Sequence, residues 1–272
     1  LQRNISTFYF SPTGTTRKIV TTLAGALATS AESKIAKDID FTLPPARKEP
    51  VSFTAQDLVV VGLPVYAGRV PNVLLKYLNA VRGDGTLAVA VVVYGNRHYD
   101  DALIELRDIL ESNGMKVIAG GSFIGEHSFS TILGQNRPDE QDMSATAEFA
   151  GQIYAKLAVQ NVWETIFVPG KKPYQPYYQP KDKDGKPVFI HKVTPKTNDD
   201  CIDCKLCASL CPMGSIDTDD PKKITGICIK CGACIKKCPM QAKYFDDAHY
   251  LWHKKELEDA YTFPRREPEF FL

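Results

Sequence analysis

Short apolar runs alternate with stretches of helical spacing through the first 160 residues of the chain. Residues 3–10, 57–63, 87–94 and 116–123 are too short for ordinary helices and are bounded by turn residues, so they read as strands, with a weaker strand near 34–40. Between them, Ile19, Leu23 and Leu27, then Val73, Leu74, Tyr77 and Leu78, then Leu103, Leu106 and Leu110 recur as one face of a helix does. A last helix is expected over 142–159, with Asn136-Arg137-Pro138-Asp139 at its start and Pro138 setting its first turn. The runs Leu58-Val59-Val60-Val61 and Val89 to Val93 are apolar at successive positions, so both faces of those strands must be covered. Such alternation predicts βαβ units, a parallel sheet and the α/β class.

The pattern stops after residue 162. Pro169, Pro173, Pro176, Pro180, Pro187 and Pro195 interrupt a stretch without helical period. Prolines favour an extended path, and Tyr174, Tyr177, Tyr178 and Phe189 make a strap packed on a domain the preferred reading over a solvated linker. Residues 246–261 read as a helix that caps the preceding unit or docks it to the first domain. Trp163, Trp252, Phe270 and Phe271 are read as packing residues. The expected division is 1–162, a connector over 163–198, a small cysteine-bearing unit over 199–245, and a helix and tail over 246–272.

Composition narrows the function classes. A net charge of +1 gives no field suited to nucleic acid. No apolar run approaches the roughly 18 residues of a membrane span, and residues 1–10 lack the apolar stretch of a signal peptide. A cytoplasmic location is expected, and the oligomeric state stays open.

All eight cysteines lie between Cys201 and Cys238, as Cys201, Cys204, Cys207, Cys211-Pro212 and again Cys228, Cys231, Cys234, Cys238-Pro239. The spacing Cys-x2-Cys-x2-Cys-x3-Cys-Pro resembles that of bacterial two-cluster ferredoxins, small α+β domains that carry two [4Fe-4S] clusters. In them the fourth cysteine of each run serves the other cluster. The resemblance implies one ligand set of Cys201, Cys204, Cys207 and Cys238, and a second of Cys228, Cys231, Cys234 and Cys211. Zinc sites pair two Cys-x2-Cys hooks rather than three close cysteines and a Cys-Pro. Disulfides need an oxidising compartment and leave the long cysteine-free region unexplained.

The first strand runs into Ser11-Pro12-Thr13-Gly14-Thr15-Thr16 before a helix. Hydroxyls of Ser11, Thr13, Thr15 and Thr16 with the amides of a helix N-terminus suit a phosphate without a lysine, and Gly14 permits close backbone approach; the alternative is ordinary capping. Ligands of doubly wound sheets sit beyond the carboxyl ends of the strands. Two more strand ends reach that place: one leads into Pro64-Val65-Tyr66, the other into Tyr94-Gly95-Asn96 and on to Tyr99, each with a ring able to stack on a flavin.

On these residues 1–160 resemble flavodoxins, and the whole chain resembles the flavodoxin-ferredoxin fusion proteins of anaerobic bacteria. The resemblance implies a doubly wound five-stranded parallel sheet of order 2-1-3-4-5 and an FMN held by Ser11 to Thr16. It also implies Tyr66 on one ring face and Tyr99 on the other, with Tyr94 in reserve, among the loop residues Pro64, Val65, Gly95 and Asn96. Flavodoxins often carry Trp in the first aromatic position and acidic loops; here Arg69, Arg97 and His98 stand there. Arg97 is read either as a cation at the pyrimidine end of the ring or as a solvent-facing arginine. His127, after the fifth strand, is read as a structural histidine before a flavin or proton-path residue.

FMN and two [4Fe-4S] clusters in one chain imply a carrier of low-potential electrons between a donor and an acceptor redox protein in a reduced, anaerobic compartment, with no catalytic side chain assigned. The main alternative is a flavin reductase of a quinone, nitroaromatic or unsaturated compound, its clusters feeding FMN. A third is a first domain without FMN that serves only for docking.

Overall fold

The computed structural model describes residues 3–160 and 162–272; Leu1, Gln2 and Asn161 lie outside the described residues. The first domain is built from β1 (Asn4–Tyr9), α1 (Thr15–Ser30), β2 (Ile35–Asp40), β3 (Asp57–Pro64), β4 (Leu87–Tyr94), α2 (Ala102–Ser112), β5 (Lys116–Ile124) and α3 (Glu140–Val159). After the connector and the cysteine unit come α4 (Ala248–Tyr261) and β6 (Glu269–Phe271). The sheet order is β6-β5-β4-β3-β1-β2. Its first five strands are parallel and stand in the order 2-1-3-4-5, which is the flavodoxin-like form of the doubly wound fold.

β3 and β4 are buried on both faces, as their continuous apolar runs require. One face packs Val59, Val61 and Val92 with Phe8, Phe41, Leu103 and Leu106. The other packs Val60, Val89 and Val91 with Ile19 and Leu23 of α1 and Phe149 and Ile153 of α3. Each such side chain stabilises by about 1.5–3 kcal/mol relative to exposure.

Three elements differ from the pattern. The expected helix through Val73 and Leu78 is only a 3-10 turn at Asn72–Leu74 and one helical turn at Leu75–Leu78. It ends early because the chain turns at once into the parallel pair formed by Arg82–Gly83 with Ser52–Phe53. α3 starts at Glu140, and Asp139 rather than Pro138 organises it: the Asp142 amide donates to Asp139 and the Asp139 amide to Asp142, a reciprocal cap. The tail belongs to the first sheet, because β6 adds antiparallel to β5 with Glu269 opposite Ser122. The sheet has six strands, not five. Phe270 holds that strand by stacking on Phe149 at 4.3 Å and packing on Phe123, whereas Trp252 is 42% exposed and packs little.

The connector is a strap. Ile166 and Val168 are buried in the first core. The Lys171 and Gln175 amides donate to Asp101, and the Tyr174 hydroxyl donates to Asp108. Further on, the Tyr177 hydroxyl donates to the Val70 carbonyl and the Tyr178 amide to that of Ala67. Among the described residues no helix is long and apolar enough to cross a membrane.

Candidate cofactor sites

At the end of β1 the chain makes a loop closed by its own groups. The Ser11 amide donates to Thr42 Oγ1 at 2.7 Å, and Ser11 Oγ accepts from the Arg17 amide at 2.9 Å. Gly14, with φ of +94°, turns the chain into α1 without a side-chain cap, a conformation that costs other residues strain. The amides of Thr13, Thr15 and Thr16 have no hydrogen-bond partner among the described residues. Three free donors at the positive end of a sixteen-residue helix form an anion cradle, so these residues fit a phosphate.

The loops after β3, β4 and β5 meet this one around a cavity of about 100 Å³ lined by Thr13, Thr15, Thr16, Tyr66, Tyr94 and Cys231, among others. Through Val65, Tyr66, Ala67, Arg97, His127 and Ser128 it shares its wall with a larger cavity of about 570 Å³. The larger volume lies within the range of small-molecule sites. Phosphate cradle and adjoining space together fit a flavin nucleotide.

Tyr66 faces both cavities; burial, and then the neighbouring Cys231 and Cys228, push its phenol well above the usual value. Burial pushes Tyr94 up to about 12. His127 is pushed down to about 3, first by burial and then by Lys236. Its Nδ1 accepts from the Phe129 amide at 3.1 Å, so the neutral ring carries its proton on Nε2. Arg97 pairs with Asp100, lies 5.3 Å from the Tyr178 ring and lines both cavities.

Two expected ligand residues are placed elsewhere. Tyr99 is 1% exposed and does not line the cavity; its hydroxyl donates to Glu269 Oε2 at 2.9 Å, which turns the ring into the core. Asn96 is buried, its Nδ2 donating to the carbonyls of Tyr261 and Pro264 and its Oδ1 accepting from the Arg266 amide. Both residues anchor the returning tail. Pro64, Val65, Tyr66, Tyr94 and Gly95 line the cavity with the Thr13 to Thr16 loop, while Ser11 and Gly14 shape that loop from behind.

The cysteines form two groups, and each takes its fourth member from the other run. One small cavity is lined by Cys201, Cys204, Cys207 and Cys238, the other by Cys228, Cys231, Cys234 and Cys211. Repeated backbone geometry produces the match. Asp203 and Lys230 are both left-handed with φ of +55°, and so are Lys205 and Gly232, which precede the one-turn helices Leu206–Ser209 and Ala233–Lys236. The Ser215 amide donates to Cys211 Sγ and the Ala242 amide to Cys238 Sγ, each at 3.3 Å. All eight thiols are free. Each group rings a cavity with backbone amides directed at sulfur, which fits a cubane cluster.

The second group sits against the strand-end loops. A Cβ on Gly232 would come within 2.5 Å of the Ser128 carbonyl, so the cluster loop and the β5 loop touch backbone to backbone only because this residue is glycine. Lys236 pairs with Glu126 and donates to the Ser130 carbonyl, and Phe129 packs on Tyr250 of α4 at 4.7 Å. Neither Lys230 nor Lys236 stands out in the sequence, since a lysine within a cysteine run has no periodic partner to mark it.

Residues 198–214 and 225–241 match the family model described as a 4Fe-4S binding domain. With the 2-1-3-4-5 sheet before it, the chain joins a flavodoxin-like fold to a 4Fe-4S binding domain. No curated protein matches the sequence. Among solved structures it is similar to a flavodoxin from the domain Archaea, at 15% identity and a TM-score of 0.40, over 57% of this chain and 98% of that one. The flavodoxin of Streptococcus pneumonia TIGR4 is 18% identical at 0.39, over 56% and 98%. The apo form of an NADH:FMN oxidoreductase is 17% identical at 0.41, over 57% and 90%.

Proposed function

We propose that the chain is an electron-transfer flavo-iron-sulfur protein that relays low-potential electrons between redox partners through FMN and two [4Fe-4S] clusters. One observation carries the reading: Cys231 lines the same cavity as Thr13, Thr15, Thr16, Tyr66 and Tyr94. FMN, when bound, exchanges electrons in pairs or singly, and each cluster exchanges one. The chain's own part is placement. The Thr13, Thr15 and Thr16 amides hold the phosphate, Tyr66 and Tyr94 border the ring, and the Gly232 contact keeps the second cysteine group against the strand-end loops. His127 stays neutral, with one N–H to donate, and Arg97, paired with Asp100, forms part of the cavity wall.

Anaerobic redox titration with optical and EPR detection tests the proposal. A flavin transition and two cluster signals from one polypeptide are expected. A preparation that shows a single cluster, or takes up no flavin on incubation with FMN, would sink it.

The cavity of about 570 Å³ beside the proposed flavin site supports a second reading, reduction of a small oxidised compound by the protein alone. Turnover of a quinone, a nitroaromatic or an unsaturated compound by the reduced protein, without any partner, would favour this reductase. Strict dependence on a protein acceptor favours the carrier.

A further inference from the structure

The two cysteine runs are copies in backbone but not in charge. Asp203 and Lys230 hold the same place, between the first and second cysteines, in the same left-handed conformation. Asp203 is exposed and pairs with Lys205 at 2.7 Å, so its charge is balanced and faces water. Lys230 is 7% exposed. Its Nζ donates to the His191 carbonyl at 2.6 Å and the Cys228 carbonyl at 2.8 Å. Among the described residues no carboxylate lies within ion-pair distance of it. It lines the cavity ringed by Cys211, Cys228, Cys231 and Cys234. A buried ammonium without a counter-charge is costly, and a four-thiolate cluster is the anion beside it.

Lys243 is a second buried ammonium: it lines the cavity of Cys201, Cys204, Cys207 and Cys238 and donates to the Pro221 carbonyl. Each cysteine group therefore has one buried lysine in its own lining, and for the group of Cys211, Cys228, Cys231 and Cys234 it is Lys230. The opposing influence is burial: Cys231 is buried whereas Cys204 is exposed, and burial disfavours the extra negative charge of a reduced cluster.

We propose that Lys230 is a positioning residue for charge, raising the reduction potential of the cluster held by Cys211, Cys228, Cys231 and Cys234. The step concerned is the entry of one electron into that cluster; no bond forms and no proton moves. The proposal rests on the two-cluster reading above.

The test is an EPR-monitored redox titration of the full chain loaded with FMN and both clusters, as wild type, Lys230→Met, Lys230→Arg and Asp203→Lys, with iron and sulfide assayed in each. Lys230→Met should disfavour reduction of one cluster about tenfold, about 59 mV for a one-electron couple, and leave the other nearly unmoved. Lys230→Arg should restore the wild-type value. The idea is overturned if Lys230→Met moves neither cluster, moves both equally, or is matched by Lys230→Arg. Should Lys230→Met not hold its cluster, Asp203→Lys decides: a rise in the potential of the exposed cluster supports the proposal, and no rise defeats it. Wild type without two clusters would instead defeat the function on which this rests.

Discussion

Arg69 lies between two rings of the connector, 4.6 Å from Tyr174 and 4.9 Å from Tyr177, and meets Glu105 with two hydrogen bonds of 2.8 Å. Glu105 is 3% exposed and also accepts from the Val70 amide. Arg69→Ala strands that carboxylate and loosens the strap, so a loss of about 3 kcal/mol is expected from urea unfolding. Arg69→Lys should recover only part, since it lacks the planar fork. His127 carries a pH dependence of definite sign. Unfolded, it takes a proton near about pH 6.5; folded, only at about 3. The stability contributed by its neutral form is full above the unfolded value and is lost as pH falls below it. Urea midpoints of His127→Gln should therefore fall less than those of wild type over that acid range. Sequence reading located both tyrosines of the third loop but not their directions. Tyr99 turns inward because Glu269, 170 positions away, supplies its partner, and no local pattern records such a contact.

Among the elements, four of the five parallel strands were legible as compact apolar runs, β2 only weakly because Ile35–Asp40 is charged and mostly exposed, and α1, α2 and α3 because their buried residues keep helical spacing. β6 was not, since three residues, Glu269–Phe271, are too few to show alternation. Phe270 makes this strand matter. Its ring lies 8° from parallel with Phe149, and the side chain is only half-buried. Phe270→Ala should cost about 2 kcal/mol, below the range for a fully buried ring, and it should leave the β5 edge open to pairing with other chains. Urea unfolding gives the first quantity; sedimentation at rising concentration checks the second.

For the molecule as a whole, the crossed cysteine groups and the strand-end loops should be separable by mutation. Cys204→Ala is expected to remove one cluster's EPR signal while FMN still binds. Gly14→Val, at a position with φ of +94°, should weaken FMN binding by tenfold or more, about 1.4 kcal/mol, and leave both clusters. Loss of both cofactors in either variant would contradict two sites. The exchange of Cys211 and Cys238 between groups makes a sharper pair: Cys211→Ala should affect the same signal as Cys231→Ala, and Cys238→Ala the same as Cys204→Ala. The two cysteine runs were legible because their members are close in sequence, whereas the exchange of Cys211 and Cys238 was implied only by the resemblance to two-cluster ferredoxins. The meeting of Gly232 with Ser128 was not, because it joins loops 104 positions apart in the chain.

The return of the tail to the first sheet also changes what kind of object the cluster-bearing portion is. It leaves the α/β body after α3 and comes back as β6, so it is an inserted module fastened at two points rather than a pendant on a leash. Cutting the strap between these fastenings would not set it loose. A nicked protein should still travel as one particle, its pieces clasped by strand addition.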